Sequence, residues 1–93
     1  MPDTQVTSVV YAGYGVWNKT NNCTNGAQGR IQDDYDKVTV TFLASNDAWG
    51  PDPAPGERKY FFISWHDPDG TIKSGVVGED DSKGVVVPTG KPA

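Results

Sequence analysis

The stretch KYFFISWHDPDGTIKSGVV, residues 59–77, predicts two antiparallel β-strands joined by a tight turn. Aromatic and apolar side chains fill both alternating faces of residues 59–66, which is typical of a central strand covered on both sides. Pro68 suits the second position of a type I turn, and Gly70 can take the left-handed conformation that closes a short hairpin. Residues 71–77 then form the returning strand.

Alternation divides the first of these strands into two faces. Phe61, Ile63 and Trp65 share one face, whereas Tyr60 and Phe62 share the other. Because Trp65 occupies a regular inward position, we expect it in the core.

Strand patterns continue on both sides of this hairpin. Residues 37–44 alternate cleanly, while residues 5–14 and residues 85–87 are rich in Val or Tyr. No window of helical length has the apolar spacing of an amphipathic helix, and we expect at most one helical turn, at residues 33–37. The sequence therefore predicts an all-β protein, a small antiparallel β-sandwich or open barrel of about five to seven strands.

The chain has 93 residues, enough for one domain, so residues 1–93 are expected to form a single β domain. Residues 88–93 read as a loose C-terminal tail. Two polar segments, residues 15–36 and residues 45–57, have no strand pattern, and irregular loops of such length are usually functional or mobile.

Composition narrows the classes of ligand. Twelve acidic and eight basic residues give a net charge of −4, which disfavours binding to nucleic acid or to an anionic membrane. No signal peptide and no apolar membrane span is recognisable, so we expect an acidic, soluble, cytoplasmic protein. The single cysteine, Cys23, cannot form an intrachain disulfide.

Residues for catalysis are few. His66 is the only histidine and lies beside a turn, Cys23 has no base near it in sequence, and no nucleophile-elbow motif is present. We therefore predict that the protein is not an enzyme and needs no cofactor. Calcium remains an open alternative, because the acidic loops are rich in oxygen ligands, although none matches the twelve-residue calcium loop.

The two tryptophans in the irregular segments suggest a carbohydrate site. Sugars stack their apolar faces on aromatic rings and bond their hydroxyls to amides and carboxylates, and both kinds of group occur here. The predicted function is a non-enzymatic, lectin-like binding module. In the other interpretation, each tryptophan folds back to cap the core. The candidate ligand-binding residues are Trp17, Asn18, Asn22, Asn46, Asp47, Trp49 and Asp52.

A protein–protein or structural module is the alternative function. It would present the aromatic strand, residues 60–65, or a sheet edge to a protein partner. An exposed apolar patch on Tyr60 and Phe62 would favour this alternative, whereas a solvent-facing tryptophan in a concave loop would favour carbohydrate. Since one shallow site on so small a domain binds weakly, we expect a homo-oligomer in either case.

Three segments also resemble a known family. The sequence YAGYG at residues 11–15, WGPDPAPGERK at residues 49–59 and VVVP at residues 85–88 are similar to a small β-domain of unknown function. That domain is found at the C-terminus of some mitochondrial J-domain proteins and in bacterial proteins. Residues 18–29 depart from the family pattern, which has a short Asp-Val-Thr strand entry there. The resemblance implies the fold and carries over no functional residue.

Overall fold

The computed structural model describes residues 6–92 and contains six strands in two antiparallel sheets. One helix exceeds seven residues and the sheets do not close into a barrel, which confirms the predicted small all-β fold. Gln5, the first residue of a predicted strand, lies outside the described residues. In chain order the elements are β1 (Ser8–Val16), β2 (Lys19–Asn22), α1 (Thr24–Asp33), a 3₁₀ turn (Tyr35–Lys37), β3 (Thr39–Phe42), α2 (Asn46–Trp49), β4 (Tyr60–His66), β5 (Ile72–Gly78) and β6 (Val85–Pro88).

The larger sheet has the strand order β2-β1-β4-β5, and the smaller sheet consists of β3 and β6. The predicted turn between β4 and β5 is confirmed. Gly70 has a φ of 88°, and its amide donates a hydrogen bond of 2.8 Å to the carbonyl of Asp67. The side chain of Asp67 also accepts a 2.7 Å hydrogen bond from the indole nitrogen of Trp65.

The core lies between the two sheets. Phe61, Ile63 and Trp65 point into it from β4, as alternation predicts, and each is at most 5% exposed. Phe61 stacks on Phe42 with ring centroids 5.4 Å apart and on Trp49 with centroids 4.7 Å apart. These rings supply much of the apolar area that so short a chain can bury.

The third strand begins later than the sequence predicts. Val40, Phe42 and Ala44 are buried as expected, but Val38 has a φ of 72° and precedes the strand. That conformation is unusual for a β-branched residue. The carbonyl of Val38 accepts a 2.8 Å hydrogen bond from the amide of Thr89, which fixes the chain at this point.

Residues 15–36 are not irregular, and this prediction was wrong. They contain the end of β1, the strand β2, the helix α1 and most of a 3₁₀ turn. The sequence of α1, TNGAQGRIQD, has two glycines, and only Ala27 and Ile31 are buried. Its intrinsic helix propensity is low, so contacts with the sheet must stabilise it.

Helix α1 covers the outer edge of β1. The side-chain oxygen of Gln28 accepts a 2.7 Å hydrogen bond from the amide of Val9, and its nitrogen donates one of 2.9 Å to the carbonyl of Thr7. The hydroxyl of Thr24 accepts a 3.1 Å bond from the amide of Ala12. Side chains of the helix thus take the place of a neighbouring strand.

The C-terminal residues are held more firmly than predicted. Pro88 ends β6, and Thr89 is fully buried. The hydroxyl of Thr89 donates a 2.8 Å bond to the carbonyl of Tyr35, and Lys91 pairs with Asp36 at 3.0 Å. Residues 88–91 are therefore part of the packed domain, which corrects the expected loose tail; Ala93 lies outside the described residues.

Among the helices of residues 6–92, none combines the length and apolar character that crossing a membrane requires.

Candidate functional site

One face of the larger sheet is not covered by any other element of residues 6–92, and we call it the open face. The sequence predicts that β4 is covered on both sides, but only the side of Phe61 is covered. On the other side Tyr60 and Phe62 are half-buried, while Tyr11 and Val76 are 40% and 58% exposed. The pairing of strands places on this face Tyr11, Gly13 and Gly15 from β1, Tyr60, Phe62, Ser64 and His66 from β4, and Ile72, Ser74, Val76 and Gly78 from β5.

A groove of about 490 Å³ runs along the middle of the open face. Small residues of β4 and β5 form its floor, and larger side chains form its walls. Within the described part of the chain, no charged side chain lines it. The lining residues are Tyr11, Phe62, Ile63, Ser64, Ser74, Gly75 and Val76.

A β-bulge brings Tyr11 to the groove. Val9 lies opposite Trp65 and Tyr11 opposite Ser64, so Val10 is an extra residue in β1. Without the bulge, Tyr11 would share the inward face of Val9; the extra residue turns the ring to the open face instead.

The ring of Tyr11 then lies across the neighbouring glycine of the same strand. A Cβ atom at Gly13 would be 2.5 Å from the hydroxyl oxygen of Tyr11. Gly13 therefore provides the space that the ring needs, and a larger residue there would displace Tyr11 from the groove.

An arginine that is ion-paired within the chain lies at one end of the open face. The guanidinium of Arg58 lies 4.7 Å from the ring centroid of Tyr60, and its Nε donates a 2.8 Å bond to Asp80. This hydrogen bonding lowers the pKa of the Asp80 carboxyl. Because the charge of Arg58 is matched by Asp80, the neighbouring groove stays effectively uncharged.

Three of the predicted ligand-binding residues lie on or beside β2. Trp17 and Asn18 form the turn between β1 and β2, and Trp17 is 89% exposed. Asn22 is at the other end of β2, where its side-chain oxygen accepts a 3.0 Å hydrogen bond from the amide of Thr24. Trp17 thus projects from a turn and does not line a concave loop.

Trp49 has a different environment. It is 7% exposed, stacks on Phe61 and donates a 2.8 Å hydrogen bond from its indole nitrogen to the carbonyl of Leu43. No ring face remains for a sugar. The expectation of a solvent-facing Trp49 is corrected, and the interpretation in which this residue caps the core holds.

The polar residues near Trp49 surround a buried lysine. Lys59 is 4% exposed, and its ammonium lies 3.1 Å from Asp52 and 3.4 Å from Glu79. Burial opposes ionisation of Asp52, but the amide of Ala54 and the ammonium of Lys59 lower the pKa of this carboxyl overall. Asp52 therefore serves as an internal counterion and is not a free ligand for sugar.

Asn46 belongs to the same network. Its side-chain oxygen accepts a 2.7 Å hydrogen bond from the hydroxyl of Tyr14, whose pKa is raised to about 12 by burial and by the charge of Glu79. Asp47 is exposed in the first turn of α2. The seven predicted residues thus occupy a turn, a helix start and a structural network, and the fold does not assemble them into one site.

Sequence reasoning missed most of the groove. An exposed patch on Tyr60 and Phe62 was only a condition of the alternative hypothesis, and Tyr11 enters the groove through a bulge that periodicity does not reveal. Ser74 and Val76 become neighbours of Phe62 only through the pairing of β4 with β5. The available signal was the sequence of β5. It has small residues at several positions where a sheet covered on both faces would have large apolar ones.

Groups for metal or covalent chemistry are not clustered in the described part of the chain. No three or more His, Cys, Asp or Glu side chains of residues 6–92 are arranged to hold a metal ion. Cys23 is buried, and burial raises the pKa of its thiol, which favours the unreactive protonated form. His66 is exposed beside the β4–β5 turn. The groove, by contrast, offers a ligand a concave surface with apolar side chains.

Comparison with known proteins gives no family. No family model matches the chain, and no curated protein or solved structure matches it significantly. The resemblance to the small β-domain therefore stays a prediction.

Proposed function

We propose that this domain is a non-enzymatic binding module that docks an apolar segment of a protein partner on its open face. The groove between Tyr11, Phe62 and Val76 is the observation that supports this function. Exposed apolar and aromatic side chains that cluster on one surface are typical of protein interfaces.

The lining favours a protein segment over a sugar. Two serine hydroxyls and one tyrosine hydroxyl are the polar side-chain groups of the groove, and no carboxylate, amide or cation lines it. A sugar needs several such groups for its hydroxyls, whereas an apolar side chain needs none. The small residues Ser64 and Ser74, which are paired on the open face, leave room for an inserted side chain between the larger wall residues.

The proposal is tested by selecting displayed random peptides on the wild-type domain and measuring their affinity for variants. Phe62→Ala removes a groove wall, and we expect it to weaken the selected peptides by about thirtyfold, the loss typical of a central interface ring. Val86→Ala is the matched control because Val86 is 56% exposed on the smaller sheet, outside the groove. It should leave binding unchanged.

Two results would contradict the proposal. One is a selection that yields no specific peptide, and the other is a set of peptides that bind Phe62→Ala as well as the wild type. Circular dichroism and urea unfolding of each variant establish that the fold is retained, so a loss of binding at Phe62 can be assigned to the groove.

Carbohydrate binding is the second candidate, and the exposure of Trp17 is the observation that favours it. An array of glycans probed with the wild type, Trp17→Ala and Phe62→Ala separates the two functions. Glycan binding that is lost in Trp17→Ala and kept in Phe62→Ala would replace the protein-docking proposal. Binding of no glycan would remove the carbohydrate candidate.

A further inference from the structure

The larger sheet ends in two edge strands of unequal length, the four-residue β2 and the seven-residue β5. At one edge, β2 and the side chains of α1 take up the backbone groups of β1. At the other edge, β5 pairs with β4 and with no other strand of the described chain. Unpaired backbone amides and carbonyls along a strand are a template for another strand.

Strand β5 lacks the usual features that block such pairing. Its seven residues run in an unbroken register against β4, with no bulge and no proline. Its only charged residue, Lys73, is paired with Asp67 at 2.7 Å. Charged or kinked edges prevent association in many sheet proteins, but the charge on this edge is already matched within the chain.

The exposed side chains of β5 are self-complementary. Ile72 and Val76 are 64% and 58% exposed on the open face, two residues before and two residues after Ser74. In an antiparallel pair of two β5 strands centred on Ser74, Ile72 of each copy lies opposite Val76 of the other. Apolar pairs directly opposite each other stabilise neighbouring strands.

Other two-fold registers are less favourable. Centring the pair on Gly75 would place Ile72 opposite Gly78, and centring it on Val76 would place Ile72 opposite the charged Asp80. The acidic residues that flank the strand on both sides repel their copies and confine pairing to the middle of β5. The two Ile72–Val76 pairs therefore favour the register centred on Ser74.

We propose that a second copy of this chain pairs its β5 with β5 in this register, which forms a two-fold dimer with one continuous eight-stranded sheet. Each copy contributes four strands. A two-fold pair uses the β5 edge of both copies, and the remaining β2 edges are only four residues long, so we expect the assembly to stop at two. A seven-residue edge buries less than a standard interface, so the dimer is weak and depends on concentration.

Sedimentation velocity across a range from about 10 to about 500 µM tests the dimer. We expect the weight-average mass to rise from monomer toward dimer. Ile72→Lys should weaken association about tenfold, because it replaces both apolar cross-strand pairs with a lysine opposite Val76. Val86→Lys is the control for an added exposed lysine and should associate like the wild type.

The register has its own test. Val76→Glu alone should also weaken the dimer, but the double variant Ile72→Lys with Val76→Glu should restore it. Only the register centred on Ser74 places the new lysine directly opposite the new glutamate of the other copy. A double variant that stays as weak as the single variants would overturn this register.

A wild type that remains monomeric at the highest concentration, or an Ile72→Lys variant that still dimerises, would overturn the edge pairing. So would growth into larger assemblies. Ile72 does not line the groove, and Phe62 lies on β4 away from the edge. The dimer and the docking function can therefore fail separately.

Discussion

Phe61 and Phe62 are adjacent on β4 and carry the same side chain, yet their surroundings are opposite. Phe61 is fully buried and stacks on Phe42 and Trp49. Phe62 is half-buried, lies on the open face and forms a wall of the groove. Because successive residues of a strand point to opposite faces, one step along the chain separates a residue that stabilises the fold from one that is available to a partner.

The largest expected effect comes from exchanging each phenylalanine for alanine. Phe61→Ala should lower the free energy of unfolding by about 3–5 kcal/mol, because it removes a ring from the centre of the core. Phe62→Ala should cost less, about 1–2 kcal/mol, since its ring is only partly buried on the open face. Urea unfolding measures both values.

Loss of Phe61 removes a large part of the stability of a typical domain, about 5–15 kcal/mol, so a milder substitution is measured as well. Phe61→Leu keeps most of the volume and should cost about 1–2 kcal/mol. If substitutions at Phe61 and Phe62 lower the free energy of unfolding equally, then Phe62 is as buried as Phe61, and the open face would be contradicted.

The same inside–outside comparison applies to two glutamines of α1. Gln28 bonds the amide of Val9 and the carbonyl of Thr7, whereas Gln32 is exposed. Gln28→Ala should cost about 1–3 kcal/mol because it leaves part-buried backbone groups without partners. Gln32→Ala should change stability by less than about 0.5 kcal/mol.

Amide hydrogen exchange locates the effect of Gln28→Ala. The amide of Val9 should exchange faster than in the wild type, since its acceptor is lost. Unchanged exchange at Val9, together with unchanged stability, would show that α1 does not protect the edge of β1.

Tyr14 lies on the inward side of β1, and its contribution to the stability of the fold depends on pH. Its pKa is raised to about 12, above the value of about 10 expected in the unfolded chain. The folded state therefore holds the phenolic proton more tightly. This contribution to stability is fully present below pH 10 and is lost as the pH rises from about 10 through about 12.

Between pH 10 and pH 11 this loss amounts to roughly 1 kcal/mol for a group with that pKa. Lys59, whose pKa is also raised despite burial, adds a loss in the same alkaline direction. Tyr14→Phe removes only the tyrosine part, so its unfolding midpoint in urea should fall less than that of the wild type over this interval. If the urea midpoint falls equally with pH in the wild type and in Tyr14→Phe, the raised pKa of Tyr14 is contradicted.

Local patterns were sufficient for five of the six strands of the described residues and for one turn. Alternation predicted the inward rings of β4 and the inward residues of β3, and the Asp67–Gly70 sequence predicted the hairpin. These features depend on residues that are close in sequence. The period of two also separated the two faces of β4, but the prediction that both of these faces are covered was wrong.

The two loop tryptophans mark the limit of such reasoning. Trp17 and Trp49 both stand among Asn, Asp and Gly residues, yet one is 89% exposed and the other 7% exposed. Trp49 is buried by Phe42 and Phe61, which come from two other elements. Burial that depends on distant partners leaves no local signal near the residue.

Helix α1 and the buried Lys59 were missed for the same reason. The helix has few apolar residues, and its bonds to β1 replace the amphipathic stripe that usually reveals a helix. Lys59 precedes an aromatic strand and resembles a surface residue until Asp52 and Glu79 are brought beside it. Non-local contacts explain both structures.

The smallest expected effect compares two buried threonines whose backbones are hydrogen-bonded to each other. The amide of Thr7 donates a 2.9 Å bond to the carbonyl of Thr89, and both side chains are fully buried. The hydroxyl of Thr89 bonds the carbonyls of Tyr35 and Val38, whereas the hydroxyl of Thr7 has no partner among residues 6–92.

Exchange of each threonine for valine replaces the hydroxyl by a methyl group of similar size, and we expect opposite signs. Thr89→Val should cost about 1 kcal/mol because a hydrogen bond is lost. Thr7→Val should be neutral or stabilise the domain by up to about 1 kcal/mol, because it removes a buried polar atom without a partner. Thermal unfolding of both variants under one condition measures the difference. If Thr7→Val destabilises the domain as much as Thr89→Val, then the hydroxyl of Thr7 has a partner, such as a buried water, and the inward side of the domain is fully hydrogen-bonded.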